Sequence, residues 1–189
     1  MKELAFTAED FSKTNDELFN TNEYYREYQI EKLKNRLIEK LKENGEVLFF
    51  GYADIEKLLG LRLTKVTNHN NGRKVIIDDQ YPEGSFGREL YELDQKLDNE
   101  LVDVINERIV ENLGANNSII NNTIIPDRDF SGVPEIRIER LLGKLKDAGF
   151  KIEKIEITPD LPKEYRYLLK SNEIKTVGYA FTWWNKTTK

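Results

Sequence analysis

The chemistry this sequence suggests most strongly is recognition rather than bond-making. Between residues 174 and 189, Tyr179, Phe181, Trp183 and Trp184 alternate with small residues and stand close to Lys175, Lys186 and Lys189. Large aromatic rings concentrate binding energy at protein interfaces. The same rings stack on nucleic-acid bases when cations nearby neutralise phosphates. Adjacent strand residues point to opposite faces, so Trp183 and Trp184 cannot both face one core. The first reading of the segment is a protein-interaction surface built from Tyr179, Phe181, Trp183 and Trp184. The second is a nucleic-acid surface that adds Lys175, Lys186 and Lys189.

Bond-making chemistry is harder to assemble. Two pairs of carboxylates, Asp78 with Asp79 and Asp127 with Asp129, have the spacing of acids that hold magnesium through oxygen. They define a third reading, a metal-dependent hydrolase. A nuclease would follow such an acid with an acid–x–lysine on a strand. Here Glu135-Ile-Arg137 follows, on a predicted helix and with arginine in place of lysine. The chain has no cysteine and one histidine, His69. That excludes disulfides, thiolate nucleophiles, iron–sulfur clusters and Cys-ligated zinc, and it leaves His69 on a predicted turn tip, where an imidazole is ordinarily solvated. No glycine-rich phosphate loop and no nucleophile elbow occurs. Gly84-Ser-Phe-Gly87 reads as a turn with Ser85 as the N-cap of the helix that follows. The expectation is a chain without metal or cofactor, and not an enzyme.

Charge distribution sharpens the choice of partner. The net charge is −5, but residues 133–189 carry twelve basic and eight acidic side chains, whereas residues 1–132 carry seventeen and twenty-six. The acidic majority repels phosphate backbones and anionic membranes. Its apolar runs, such as Val47 to Phe50, are too short to span a bilayer, and residues 1–11 lack the apolar run of a secretory leader. A cytoplasmic protein is expected, or a virion-associated one if phage-encoded. Nineteen lysines against ten arginines, with abundant Asn and Ile, fit an AT-rich bacterial or bacteriophage genome.

The elements that must position these residues follow from hydrophobic spacing. Residues 1–21 form an N-terminal arm in which Phe11, Leu18 and Phe19 suit a short helix capped by Thr14 or Asn15; an arm that folds only against a partner is the alternative. Residues 22–43 repeat apolar side chains every three or four positions and read as a helix, capped by Thr21 or Asn22 and ended by Gly45. Residues 46–52 read as a buried strand, residues 54–61 as a short helix, and residues 62–67 and 73–78 as a hairpin around Asn71-Gly72. A winged-helix interpretation of this stretch fails, because the short helix offers Asp54, Glu56 and Lys57 where a groove reader needs Arg, Asn or Gln.

Residues 86–113 read as the longest helix, with Phe86, Leu90, Leu93, Leu97, Leu101, Val104, Ile105 and Ile109 in one narrow stripe. Such a stripe suits a two-helix seam, so Leu97 and Leu101 are expected at the centre of a self-association surface. Residues 114–132 form an Asn-rich loop with one short strand. Residues 134–148 read as a helix, 150–157 as a half-exposed strand, 161–170 as a short helix and 174–184 as a final strand. Residues 36–45 and 140–149 resemble one another and each precedes a strand, which suits either an internal duplication of a helix–strand unit or convergence on a common helix ending at glycine.

The sequence thus predicts an α+β fold with a mixed or antiparallel sheet and amphipathic helices. Its parts are an arm (1–21), an α+β unit with hairpin and long helix (22–113), the Asn-rich loop (114–132) and a helix–strand–helix–strand unit (133–189). The expected function is non-catalytic protein interaction or assembly, as a bacteriophage structural component or a host-directed binder. The partner is another protein or a second copy in a homo-oligomer; nucleic acid is the alternative partner, and a membrane is not.

Overall fold

The computed structural model describes residues 5–50, 55–66, 72–115, 122–160, 168–169 and 175–182. Of these, 57% are helical and 19% lie in strands, in an α+β fold with two small antiparallel sheets. The chain divides into two compact units, Met1–Asp94 and Gln95–Lys189.

The first unit begins with a folded arm. A 3-10 turn, Ala8–Ser12, is followed by helix α1 (Asn15–Thr21), and each opens on a threonine whose partner three residues later is an acid: Asp10 for Thr7, Glu17 for Thr14. The expected cap at Thr14 is present, with the Glu17 backbone N–H donating to Thr14 Oγ1 at 3.3 Å. Helix α2 (Glu23–Asn44) starts at Asn22, which accepts from the Tyr25 N–H, and stops at Gly45 in the left-handed region at φ 71°. That conformation is nearly free only for glycine.

Three short strands, β1 (Leu48–Phe50), β2 (Leu63–Lys65) and β3 (Gly72–Val75), pair antiparallel in the order β1-β3-β2. The hairpin expected around Asn71-Gly72 is the β2–β3 pair, with Leu63 opposite Val75. Its turn, with His69, lies outside the described residues, as do Gly51, Tyr52 and Asp54 at the ends of β1 and of helix α3 (Ile55–Leu59). The core gathers Leu37, Leu41, Val47, Ile55, Leu59, Leu61, Val75, Tyr81, Phe86 and Leu90.

Tyr81 organises the edge of that core. Its hydroxyl accepts from the Arg62 backbone N–H at 2.8 Å and donates to the Ile76 carbonyl at 2.9 Å. The Arg62 guanidinium lies 4.7 Å above its ring. One polar tip thus satisfies two backbone groups while the ring stays buried. Gly87, at the start of helix α4 (Phe86–Ala115), lies so close that a Cβ there would stand 2.2 Å from Tyr81 Cδ1. Ser85 caps this helix, accepting from the Arg88 N–H at 3.2 Å.

The second unit contains helix α5 (Glu135–Asp147) and the strands β4 (Asn122–Pro126), β5 (Lys151–Ile157) and β6 (Thr176–Thr182) in the order β4-β6-β5. β4 is the short strand expected within residues 114–132, of which 116–121 lie outside the described residues. The helix expected over residues 161–170 also lies outside them, except Leu168 and Leu169.

Register assigns each face of this sheet. Phe181 stands opposite Ile152 and Thr123, and Tyr179 opposite Lys154 and Ile125, so these side chains share one face. There Ile125 and Phe181 join Leu101, Ile105, Phe130, Ile138, Leu141 and Leu142 in a core. On the other face Ile124, Ile157 and Leu168 form a second cluster with Ile155 and Ala180 against it. The edge strand β5 exposes Lys151, Glu153, Lys154 and Glu156, charges that discourage pairing with another chain.

Two glycine replacements should move stability in opposite directions. Gly87→Ala forces a methyl group into the Tyr81 ring and should cost about 1–3 kcal/mol. Gly143→Ala, within α5 and with nothing within 4 Å of the added Cβ, should stabilise by about 0.5–1 kcal/mol through helix propensity alone. Urea unfolding midpoints of the two variants against the parent check both signs.

Candidate functional site

Of the residues that sequence patterning grouped, the structure describes Tyr179, Phe181, Lys175, Leu97 and Leu101. Phe181 is 0% exposed in the second unit's core. Tyr179 is half-buried, edge-on to Phe130 at 5.6 Å, with Lys154 Nζ 5.5 Å from its ring centre. The physical reason is strand order. β6 is the central strand, hydrogen-bonded on both edges and covered on both faces, so its large rings fill the interior. Trp183, Trp184, Lys186 and Lys189 lie outside the described residues, and Lys175 pairs with Glu156 at 3.1 Å. Leu101, expected in a seam between copies, is 3% exposed in the core of its own unit, and Leu97 is half-buried.

The carboxylate pairs are separated and partly neutralised. Asp78 pairs with Arg62 and accepts from the Gln80 N–H, while Asp79 offers its backbone carbonyl to Arg88. Asp129 pairs with Arg108 at 2.7 Å, and Asp127 is exposed. The two pairs belong to different units. Among the described residues, no group of three or more His, Cys, Asp or Glu is placed to hold a metal ion.

Sequence patterning missed a buried carboxylate. Asp98 of α4 keeps 6% of its side chain exposed and faces three cations of α5. Its Oδ1 accepts from Arg137 and Arg140, each at 2.7 Å, and its Oδ2 from Lys144 at 3.3 Å. Burial alone pushes the Asp98 carboxyl up; hydrogen bonds and charge from Arg140, Arg137 and Lys144 overcome this and hold it below the usual carboxylate range. Arg137 is itself only 2% exposed. The signal was present: Asp98 falls in the register of Leu90, Leu101 and Ile105, and Arg137, Arg140 and Lys144 repeat at helical spacing on α5. Three cations take three of the acceptor positions of this nearly buried carboxylate, and the cluster ties α5 to α4 within the unit.

Among the described residues, the exposed aromatic side chains of the arm and of the helix it folds on offer a surface to a partner. Asp10 anchors the arm: it accepts from the Thr7 N–H at 2.8 Å, from the Thr7 hydroxyl at 2.9 Å, from Lys13 at 2.9 Å and from Asn22 at 3.3 Å. Lys13 first, then Thr7, hold its carboxyl well below the usual range. Asn22 also donates to the Ala5 carbonyl at 2.9 Å, and Tyr25 donates from its hydroxyl to Asn15 at 3.1 Å. On this base Tyr24 and Tyr28 stand 57% and 55% exposed, one helical turn apart on α2. Tyr24 is steadied by Phe6, edge-on at 5.8 Å. Phe11 on the arm is also exposed. A shallow groove of about 510 Å³ runs along Tyr24, Glu27, Tyr28, Ile30, Glu31 and Lys34. Exposed tyrosines on a well-anchored helix offer apolar area at little entropy cost.

Comparison of the chain with models of protein families, with curated proteins and with solved structures finds no match. Among the described residues no helix is long and apolar enough to cross a membrane.

Asp98→Ala should destabilise the second unit by about 3–5 kcal/mol, the loss that accompanies stranding a buried partner. The pH dependence has a definite sign. A carboxyl held lower in the folded state stabilises above its unfolded value of about 3.9 and loses that contribution as pH falls through the folded value. Acid titration of the unfolding midpoint should therefore fall more steeply below about pH 4 in the parent than in Asp98→Ala.

Proposed function

We propose that the chain is a non-catalytic protein-interaction protein and that the arm and helix α2 carry its docking face. One observation carries this reading: Tyr24 and Tyr28 present more than half their surface to solvent on one face of a helix whose start is pinned by Asp10 and Asn22. Tyrosine at such a place unites an apolar ring with a polar tip and is enriched where partners bind. The biological setting that accords with the composition is an assembly component or a host-directed binder of bacterial or bacteriophage origin, working in the cytoplasm.

The test places a photo-reactive phenylalanine analogue at position 28 of the full chain in extract of the native host. A discrete protein adduct is expected, lost on adding Tyr24→Ala, with the circular dichroism unchanged. The same analogue at Glu139, on an exposed face of α5, serves as reference. Absence of any discrete adduct at position 28, or an identical adduct from position 139, overturns the proposal.

A further inference from the structure

Resting on that reading, we infer that the segment docking on α2 is basic: a stretch of another protein that sets arginine or lysine side chains against Tyr24 and Tyr28 and into the carboxylates beside them. Glu23, Glu27 and Glu31 are exposed and follow one another at four-residue intervals. Each such step advances about 6 Å along the helix and turns about 40° round it, so the glutamates form a row running beside the two tyrosines. Like charges at this spacing destabilise a helix, yet none of the three takes an ion pair among the described residues. Two nearby cations have partners of their own, Lys13 on Asp10 at 2.9 Å and Lys34 at 5.5 Å over the Phe86 ring, while Arg26 and Lys32 lie beside the row without forming an ion pair to it among the described residues.

The groove continues in the same character. At Tyr24 it adjoins a second concavity, of about 450 Å³, whose lining includes Glu9 and Glu23 together with the paired Asp10 and Lys13. From residue 5 to residue 31 the chain carries seven acidic and two basic side chains. An unpaired row of negative charge beside exposed aromatic faces is the complement of a guanidinium, which pairs edge-on with carboxylate and lies flat on a tyrosine ring. Phosphate is the wrong sign for this surface, which sets nucleic acid aside as its occupant.

The probe is a fluorescein-labelled peptide of repeated Arg-Ala-Leu-Ala units, titrated with the full chain at an ionic strength of about 0.15 M and read by anisotropy. Saturable binding is expected, with none for the peptide carrying glutamate in place of arginine or for single-stranded poly(dT). Glu27→Gln with Glu31→Gln should weaken binding about tenfold or more, as removal of close charge partners does; Tyr24→Ala with Tyr28→Ala should weaken it comparably. Glu107→Gln with Glu139→Gln, two exposed acids of the second unit, should leave affinity unchanged. Gln retains helix propensity, and unchanged circular dichroism of each variant confirms the fold.

Equal affinity in the Glu27/Glu31 variant, equal loss in the Glu107/Glu139 variant, or self-association of the parent abolished by Tyr24→Ala with Tyr28→Ala overturns the inference. Its failure is distinguishable from that of the docking reading. A position-28 adduct that persists in Glu27→Gln with Glu31→Gln keeps the docking face and removes the basic partner. Absence of the adduct removes the docking face itself.

Discussion

Desolvation of the Asp98 carboxylate is the constraint around which the second unit is arranged. An isolated charge with so little of its surface in water would be prohibitive. Three cations from one helix offset the penalty, and in doing so they fix the rotation of α5 relative to α4 within that unit: Arg137, Arg140 and Lys144 must all face Asp98 at once. With this rotation set, Ile138, Leu141 and Leu142 turn to the sheet and meet Ile125 and Phe181. Polar pairing of this kind adds orientation more than net stability. Apolar burial in the clusters on the two sheet faces supplies the attraction.

Much of the local structure was legible in residue order because it depends on neighbours a few positions away. The cap at Thr14, the cap at Asn22, the stop at Gly45, the turn before Phe86 and the hairpin flanking Asn71-Gly72 each rest on side-chain chemistry within one turn of the backbone. What was not legible depends on partners far along the chain. The period-two pattern of residues 174–184 identifies a strand but is silent on whether that strand lies at the edge or the middle of a sheet. Placed centrally, Phe181 becomes core where an edge would have exposed it. Leu101 shows the same limit on a helix: an apolar stripe states that a face will be covered, not by what.

The arm illustrates a second kind of information that spacing conceals. Composition alone left residues 1–21 divided between a short helix and a segment ordered by a partner. The structure resolves this through polar contacts, with Asp10, Asn22 and Asn15 tying residues 5 to 25 together. A surface already ordered in the free chain avoids the entropy that a partner would otherwise have to overcome. The tyrosines of α2 stand out from this frame and from the row of glutamates because their exposure follows from neither core packing nor capping.

The strand order of the second sheet also has a kinetic meaning. β4 and β5 never pair with each other; each hydrogen-bonds only to β6, the last of the three in the chain. Neither half of the ladder can begin to close until residues 176–182 arrive. Pairing β4 with β6 joins positions 52 to 60 residues apart, an entropic loop penalty that must be met before any contact is gained. Sheet closure then waits on the last strand, and Gly178 leaves the room it needs: a Cβ at that position would stand 2.8 Å from the Ile125 carbonyl oxygen, so a side chain there would hold the arriving strand off its neighbour.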